Sequence, residues 1–276
     1  MNSSQVTYRA EDGVGVITLN RPDKLNAWTG EMDRGVYDFM REASADSAVN
    51  VILLTGAGRG FCAGADMDNL QQIQAGGSEG SSGMRAQTQD RRIDPDVPAD
   101  FGLQNTYFPS VPKPVIGAIN GVTAGIGMVM ALYCDIRLWS DNARMTTVFA
   151  KRGLIAEHGI SWMMQRLVGP SRTADLLFSA RFVHATEALE IGLANAIYPQ
   201  ASFAEDAMAY ARNMASSVSP RSLRVMKRQL WTDASSSLAD AVALGDREMV
   251  SSFDSEDFRE GLAHFLEKRP PQFSGR

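Results

Sequence analysis

From Val115 to Cys134 the chain carries no charged residue, and such a run has to leave water, either into a bilayer or into a packed interior. It is long enough to span a membrane as a helix. Its own residues argue against that. Asn120-Gly121 is a strong turn signal, and Gly117, Gly125 and Gly127 would weaken a continuous helix. The run therefore reads as a buried strand over Val115 to Ile119, a glycine-rich turn, and a helix through Met128-Val129-Met130-Ala131-Leu132.

The same alternation recurs along the chain. Val14 to Leu19, Val51 to Thr55 and Ile136 to Trp139 read as further strands. Thr29 is placed to cap a helix whose Met32, Val36, Phe39, Met40 and Ala43 share one face. Strands alternating with helices imply an α/β fold with covered sheets. From about Ser202 the strand signals stop. Ala204, Ala207, Met208 and Ala211, then Leu223, Met226 and Leu230 after Ser219-Pro220, then Phe258, Leu262, Phe265 and Leu266 after Ser255 mark helices. Their apolar faces are expected to cover the core or to meet another subunit. With 276 residues, 44% of them hydrophobic, the chain divides into an α/β core over 1–200 and a helical region over 201–276.

Between these patterns, Ala75 to Ser110 contains Gly76-Gly77, Gly80-Ser81-Ser82-Gly83, Arg91-Arg92 and Asp94-Pro95-Asp96. That composition predicts a long irregular, partly mobile segment, either a surface excursion or, given its position, the wall of a pocket.

The 27 basic and 32 acidic residues are interspersed and sum to a net charge of −5, so no basic field is available to recruit nucleic acid. Cys62 and Cys134, with His158, His184 and His264, are scattered without ligand spacing, so neither a disulfide nor a metal site is expected. Met1-Asn2-Ser3-Ser4-Gln5 lacks the basic-then-apolar pattern of a secretory signal. The expectation is a cytoplasmic protein with no membrane partner.

The chemistry is carried by residues with little side chain. Phe61-Cys62-Ala63-Gly64-Ala65-Asp66 follows the strand at Val51 and the turn Gly56-Ala57-Gly58-Arg59-Gly60. A bent loop of small residues can aim backbone N–H groups at a developing negative charge. The turn from Asn120 to Gly127 does the same at the start of a helix, where the first N–H groups lack intrahelical acceptors. Two such loops converging would place two donors on one oxygen, which is what an enolate or a tetrahedral oxyanion requires.

At these residues the chain resembles the enoyl-CoA hydratase/isomerase (crotonase) superfamily. The likeness extends to Asn20-Arg21-Pro22-Asp23-Lys24-Leu25-Asn26-Ala27, Cys134-Asp135-Ile136, Gln165-Arg166-Leu167-Val168-Gly169, Gly192-Leu193-Ala194 and the stretch from Glu260-Gly261-Leu262 to Arg269. It therefore covers nearly the whole chain apart from the 75–110 segment. It implies a spiral core of stacked ββα turns, a C-terminal helical trimerisation region, and a homotrimer or dimer of trimers acting on an acyl-CoA thioester. Coenzyme A would be part of the substrate, with no separate cofactor. The backbone N–H groups of Ala65 and Ile126 would form the oxyanion hole, although glycine is more usual at the second position. Lys24, Leu25, Ala27, Ala63, Asp66 and Met67 would line the CoA site, and Phe265 and Lys268 would approach its nucleotide end from a neighbouring subunit.

The resemblance also exposes a departure. The two glutamates of the hydratases fall where this chain has Val129 and Phe149, neither of which can move a proton. Glu157 is the one carboxylate in Gly153 to Trp162, a slot that holds a single acidic residue in family members that shift a double bond and in some that dehalogenate. One carboxylate suffices for isomerisation. The leading expectation is therefore an enoyl-CoA isomerase with Glu157 as proton shuttle. Hydration of a 2-enoyl-CoA with Glu157 as base, hydrolysis or dehalogenation with Glu157 as nucleophile, and acyl-CoA binding without turnover are the alternatives. Glu157 could also simply cap a helix beginning near Gly159. His158 could be a second proton carrier but reads more readily as a surface or packing residue, Asp66 reads as a loop-fixing residue, and Trp139, Trp162, Met128, Met130, Met163 and Met164 read as core or acyl-pocket lining.

Overall fold

The computed structural model describes residues 4–80 and 90–276. Strands β1 (Val6–Glu11), β2 (Val14–Leu19), β3 (Val51–Gly56), β5 (Val115–Ile119), β7 (Ile136–Ser140) and β10 (Ala196–Tyr198) form one sheet in that order. β1 runs antiparallel to β2, and every other neighbouring pair is parallel. A smaller sheet has the order β4 (Gly60–Cys62), β6 (Val122–Ala124), β8 (Arg144–Thr146) and β9 (Val183–His184).

β3, β5 and β7 are each followed by a short strand of the second sheet and then by a helix. α2 (Met67–Gly80) follows β4, α3 (Ile126–Tyr133) follows β6, and α4 (Ile160–Ser179) comes after β8. This is the stacked ββα spiral, and it puts the β4–α2 and β6–α3 junctions side by side, because β4 pairs with β6.

The four strands read from apolar runs are all present, with β3 and β7 extending to Gly56 and Ser140. Both faces of the large sheet are buried, which is why the runs are nearly continuous rather than alternating. Val16, Leu53, Ile116 and Leu138 face one way, onto Phe203, Ala207, Met208 and Ala211 of α6 (Phe203–Ser217). Ile17, Ile52, Leu54 and Ile119 face the other way, with Met32, Val36 and Met40 of α1 (Gly30–Ala45). Thr29 caps α1, its Oγ1 accepting from the Met32 N–H at 3.2 Å. Burial of Phe203 and Met208 against the sheet contributes roughly 2 kcal/mol each to seating α6.

After α5 (Ala185–Glu190) and α6, the chain ends in α7 (Pro220–Asp233), α8 (Leu238–Phe253) and α9 (Glu256–Glu267). Ser219, Ser237 and Ser255 cap the last three with their hydroxyls. α7 is locked to the core by Lys227, whose Nζ lies 2.7 Å from Asp135 Oδ2 and donates to the Lys113 carbonyl at 3.0 Å. Leu230, Val250, Phe265 and Leu266 remain exposed on these helices.

In the 75–110 segment, residues 90–110 are irregular as read, with only two short 3-10 turns at Ala99–Gly102 and Phe108–Ser110, while 75–80 are helical. α2 continues through Gly76 to Gly80, started by Asp66, whose Oδ1 accepts from the Asp68 N–H at 3.0 Å. Residues 90–110 are anchored rather than loose: Arg91 pairs with Asp33 at 2.9 Å, and Tyr107 and Phe108 are buried in the main core. The remainder, including Ser81-Ser82-Gly83, lies outside the described residues. No helix among the described residues is long and apolar enough to cross a membrane, and the charge-free run from Val115 is divided into β5, β6 and α3.

Candidate active site

The two small-residue loops are tied together by asparagine side chains. Asn120, at the end of β5, donates from Nδ2 to the carbonyls of Gly56 and Gly58, both at 2.9 Å, and Asn26 donates to the Gly60 carbonyl at 2.8 Å. One contact leaves no room for a side chain. A Cβ on Gly127 would stand 2.3 Å from the Cys62 carbonyl oxygen, so α3 can approach β4 this closely only with glycine there.

Ala65 sits in a parallel bridge with Trp28 in which the Trp28 N–H donates to the Gly64 carbonyl (2.8 Å) and the Asp66 N–H to the Trp28 carbonyl (3.0 Å). In such a bridge the residue between those two turns its own N–H away from the partner strand. Ile126 opens α3 after Gly125, and no side chain caps that terminus. Among the described residues, neither the Ala65 nor the Ile126 N–H has an acceptor. Both residues line one cavity of about 260 Å³, together with Trp28, Phe149, Asn105, Glu157 and His158.

Glu157 reaches this cavity on a turn held in an uncommon conformation. His158 and Gly159 both adopt left-handed backbone, with φ of 52° and 69°, a region that costs a non-glycine residue about 1 kcal/mol. The turn is fixed by Tyr133, the last residue of α3, whose Oη donates to the His158 carbonyl at 2.9 Å. α4 then starts at Ile160 with Gly159 as its cap and no side chain bonded to the terminus. Glu157 is therefore not a capping residue, and its carboxylate is left to the cavity.

His158 is a correction to the sequence reading. It lies beside Glu157 in the cavity wall, Nε2 3.6 Å from the Glu157 carboxylate and Nδ1 3.5 Å from Asn105 Nδ2. Burial pushes its pKa below the ordinary value, against the opposing pull of the Glu157 and Asp33 carboxylates. That direction favours the neutral imidazole, which can accept a proton. Nothing in its sequence context reveals this, because the direction of the side chain depends on the turn that Tyr133 holds. Trp28, Asn105 and Arg152 also line the cavity without a local signal.

Six residues expected at the CoA site form a connected patch. Lys24 ends an exposed 3-10 turn, Leu25 accepts from the Ala63 N–H at 3.0 Å, and Arg21 bridges the Ala27 carbonyl and Asp66. Asp66 is buried in that contact, and the Arg21 hydrogen bond, with the Asp68 N–H, holds its carboxyl below the usual carboxylate range. It fixes the loop, as its position suggested. Met67 is exposed at the start of α2. Phe265 and Lys268 stand at the end of α9 and do not reach this cavity within the protomer. Val129 is buried in α3, and Phe149 puts a ring in the cavity wall. Cys62 is buried, which pushes its thiol up to about 12.

The sequence model of the enoyl-CoA hydratase/isomerase family matches residues 9–276. The chain is 33% identical to the 1,2-epoxyphenylacetyl-CoA isomerase of Escherichia coli, over 98% of both chains. It is 32% identical to a probable enoyl-CoA hydratase of Rhodobacter capsulatus over the full length of each. A solved structure of a putative enoyl-CoA hydratase from Streptomyces coelicolor superposes with a TM-score of 0.86 at 32% identity, covering 99% of this chain and 94% of that one. The protein belongs to the enoyl-CoA hydratase/isomerase family. It is an enzyme of that type.

Proposed function

We propose that the protein shifts the double bond of an enoyl-CoA, with Glu157 as the proton shuttle and the N–H groups of Ala65 and Ile126 as the oxyanion hole. The observation that carries this reading is that Glu157 and the two acceptor-free N–H groups border one cavity. With the thioester oxygen on those donors, the carboxylate removes a proton from C2 of a 3-enoyl thioester. The charge moves to the oxygen, and the resulting acid returns the proton at C4. Trp28, Leu70, Phe149 and Leu154 make much of the remaining wall apolar, which strengthens the N–H to oxyanion interaction by excluding water.

In this reading Lys24, Leu25, Ala27, Ala63, Asp66 and Met67 flank the CoA moiety. Phe265 and Lys268 reach its nucleotide from a neighbouring subunit of a homotrimer or dimer of trimers in the cytoplasm. The exposed apolar faces of α7 to α9 support such an assembly.

Water addition to a 2-enoyl-CoA is the second reading. Its support is the His158 imidazole 3.6 Å from Glu157, which supplies the second acid–base group that hydration needs. Assays of 3-enoyl-CoA and 2-enoyl-CoA with the wild type and Glu157→Gln separate the two. The expected result is isomerase turnover that falls by about 10²–10⁴-fold in the variant. Unchanged turnover removes Glu157 from the mechanism, and activity confined to the 2-enoyl thioester transfers the assignment to hydration.

A further inference from the structure

A second and larger cavity, of about 600 Å³, adjoins the first, and Gln104 and His158 line both. Its wall is aromatic: Phe101, Tyr133, Trp162 and Trp231 all contribute. Phe101 meets Trp231 edge-on at 5.3 Å between ring centroids (69° between planes) and Trp162 at 6.3 Å (68°). The polar ends of these side chains are already used. The Trp231 indole N–H donates to Asp135, the Tyr133 hydroxyl donates to the His158 carbonyl, and the Arg166 guanidinium lies flat over Trp162 with its carbon 3.5 Å from the ring centre. An occupant therefore meets ring faces and edges together with a few polar side chains, among them Asp100 and Gln104.

We propose that this cavity receives the distal aryl group of the acyl chain, making the enzyme selective for aryl-substituted acyl-CoA thioesters. The inference rests on the acyl-CoA reading above and adds the substrate class. Its volume falls within the range of about 300–1,000 Å³ that holds small ligands, whereas a short acyl chain would end in the 260 Å³ cavity next to Glu157. An alkyl tail and an aryl tail of equal carbon count bury similar apolar area. Only the aryl ring also gains from edge-to-face contact with a wall already arranged that way.

The test compares 6-phenylhex-3-enoyl-CoA with dodec-3-enoyl-CoA, which have the same number of acyl carbons. A parallel binding measurement uses the saturated 6-phenylhexanoyl-CoA and dodecanoyl-CoA, which need no turnover. The wild type is expected to favour the aryl member about tenfold in kcat/KM and in Kd. Trp162→Leu, which removes a wall ring, and Ala234→Trp, which fills the cavity from the end of α7, are each expected to erase most of that preference. Equal values for aryl and alkyl partners in the wild type, or a preference that survives in both variants, overturns the proposal. If neither 3-enoyl thioester is turned over but the aryl binding preference and its loss persist, the cavity assignment stands and the isomerase reading falls.

Discussion

Tyr133 Oη donates to the carbonyl of His158 at 2.9 Å, and this bond links the helix that presents the Ile126 N–H to the turn that presents Glu157. Burial pushes the Tyr133 hydroxyl up to about 12, so it is a donor at neutral pH. Tyr133→Phe leaves the carbonyl unpaired and releases the left-handed turn. The expected cost is about 1–2 kcal/mol of stability, read from the urea midpoint. A drop in kcat larger than the change in KM should accompany it, since the substrate would still bind while the carboxylate is misplaced.

Gly127→Ala tests the other side of the site. The added carbon would meet the Cys62 carbonyl oxygen at 2.3 Å and the Cys62 Cβ at 2.7 Å, both on a strand that cannot swing away. The expected loss is about 3 kcal/mol. If thermal denaturation shows that the variant folds, its activity should still be reduced, because α3 must back away from β4 and carry the Ile126 N–H with it. A variant of wild-type stability and activity would mean that the two loops are less tightly joined than the geometry requires.

The parts of the fold readable from sequence are those where one force dominates. Val51 to Gly56 and Val115 to Ile119 are buried on both faces, so hydrophobicity alone marks them, and Thr29 caps α1 by local chemistry. The pairing of the Phe61 and Gly125 loops was legible only from the two together, since a glycine turn by itself is more often just a tight connection. Signals failed where distant contacts decide. α2 starts at the Asp66 cap and runs on through Gly76, against the local preference of glycine. β1 is an edge strand with mixed burial, and α8 leaves Leu238, Val242 and Val250 exposed, which blurs the division between core and solvent faces. The orientation of His158 depends on Tyr133, in another element.

Asp66→Asn separates the loop-fixing role from any catalytic one. The side-chain amide oxygen can still accept from the Asp68 N–H, but Arg21 loses its charged partner at 2.8 Å, in a contact largely closed to solvent. A loss of about 2 kcal/mol is expected. Its pH dependence has a fixed sign: the folded-state pKa of Asp66 lies below the ordinary 3.8. The stabilisation is therefore full above that value and disappears as the pH falls through the lower, folded-state pKa. Urea midpoints of wild type and variant should differ at neutral pH and converge in acid.

His158 should show a linkage of the same sign in a higher pH window. Its folded-state pKa lies below the ordinary 6.5 because burial disfavours the imidazolium, even with Glu157 3.6 Å away and Asp33 also opposing the shift. Above 6.5 both folded and unfolded chains carry a neutral ring, and His158 makes no pH-dependent contribution. Below it the unfolded chain takes up a proton that the folded chain refuses, so stability falls by up to about 1.4 kcal/mol for each unit of displacement. The loss levels off once the pH is below the folded-state pKa as well. His158→Gln removes this term, and the expected outcome is a urea midpoint that declines less between pH 7 and pH 5 than in the wild type. A decline just as steep in the variant would mean that folding leaves the His158 pKa unshifted, and a steeper one that the pull of Glu157 outweighs burial and holds an imidazolium in the folded protein.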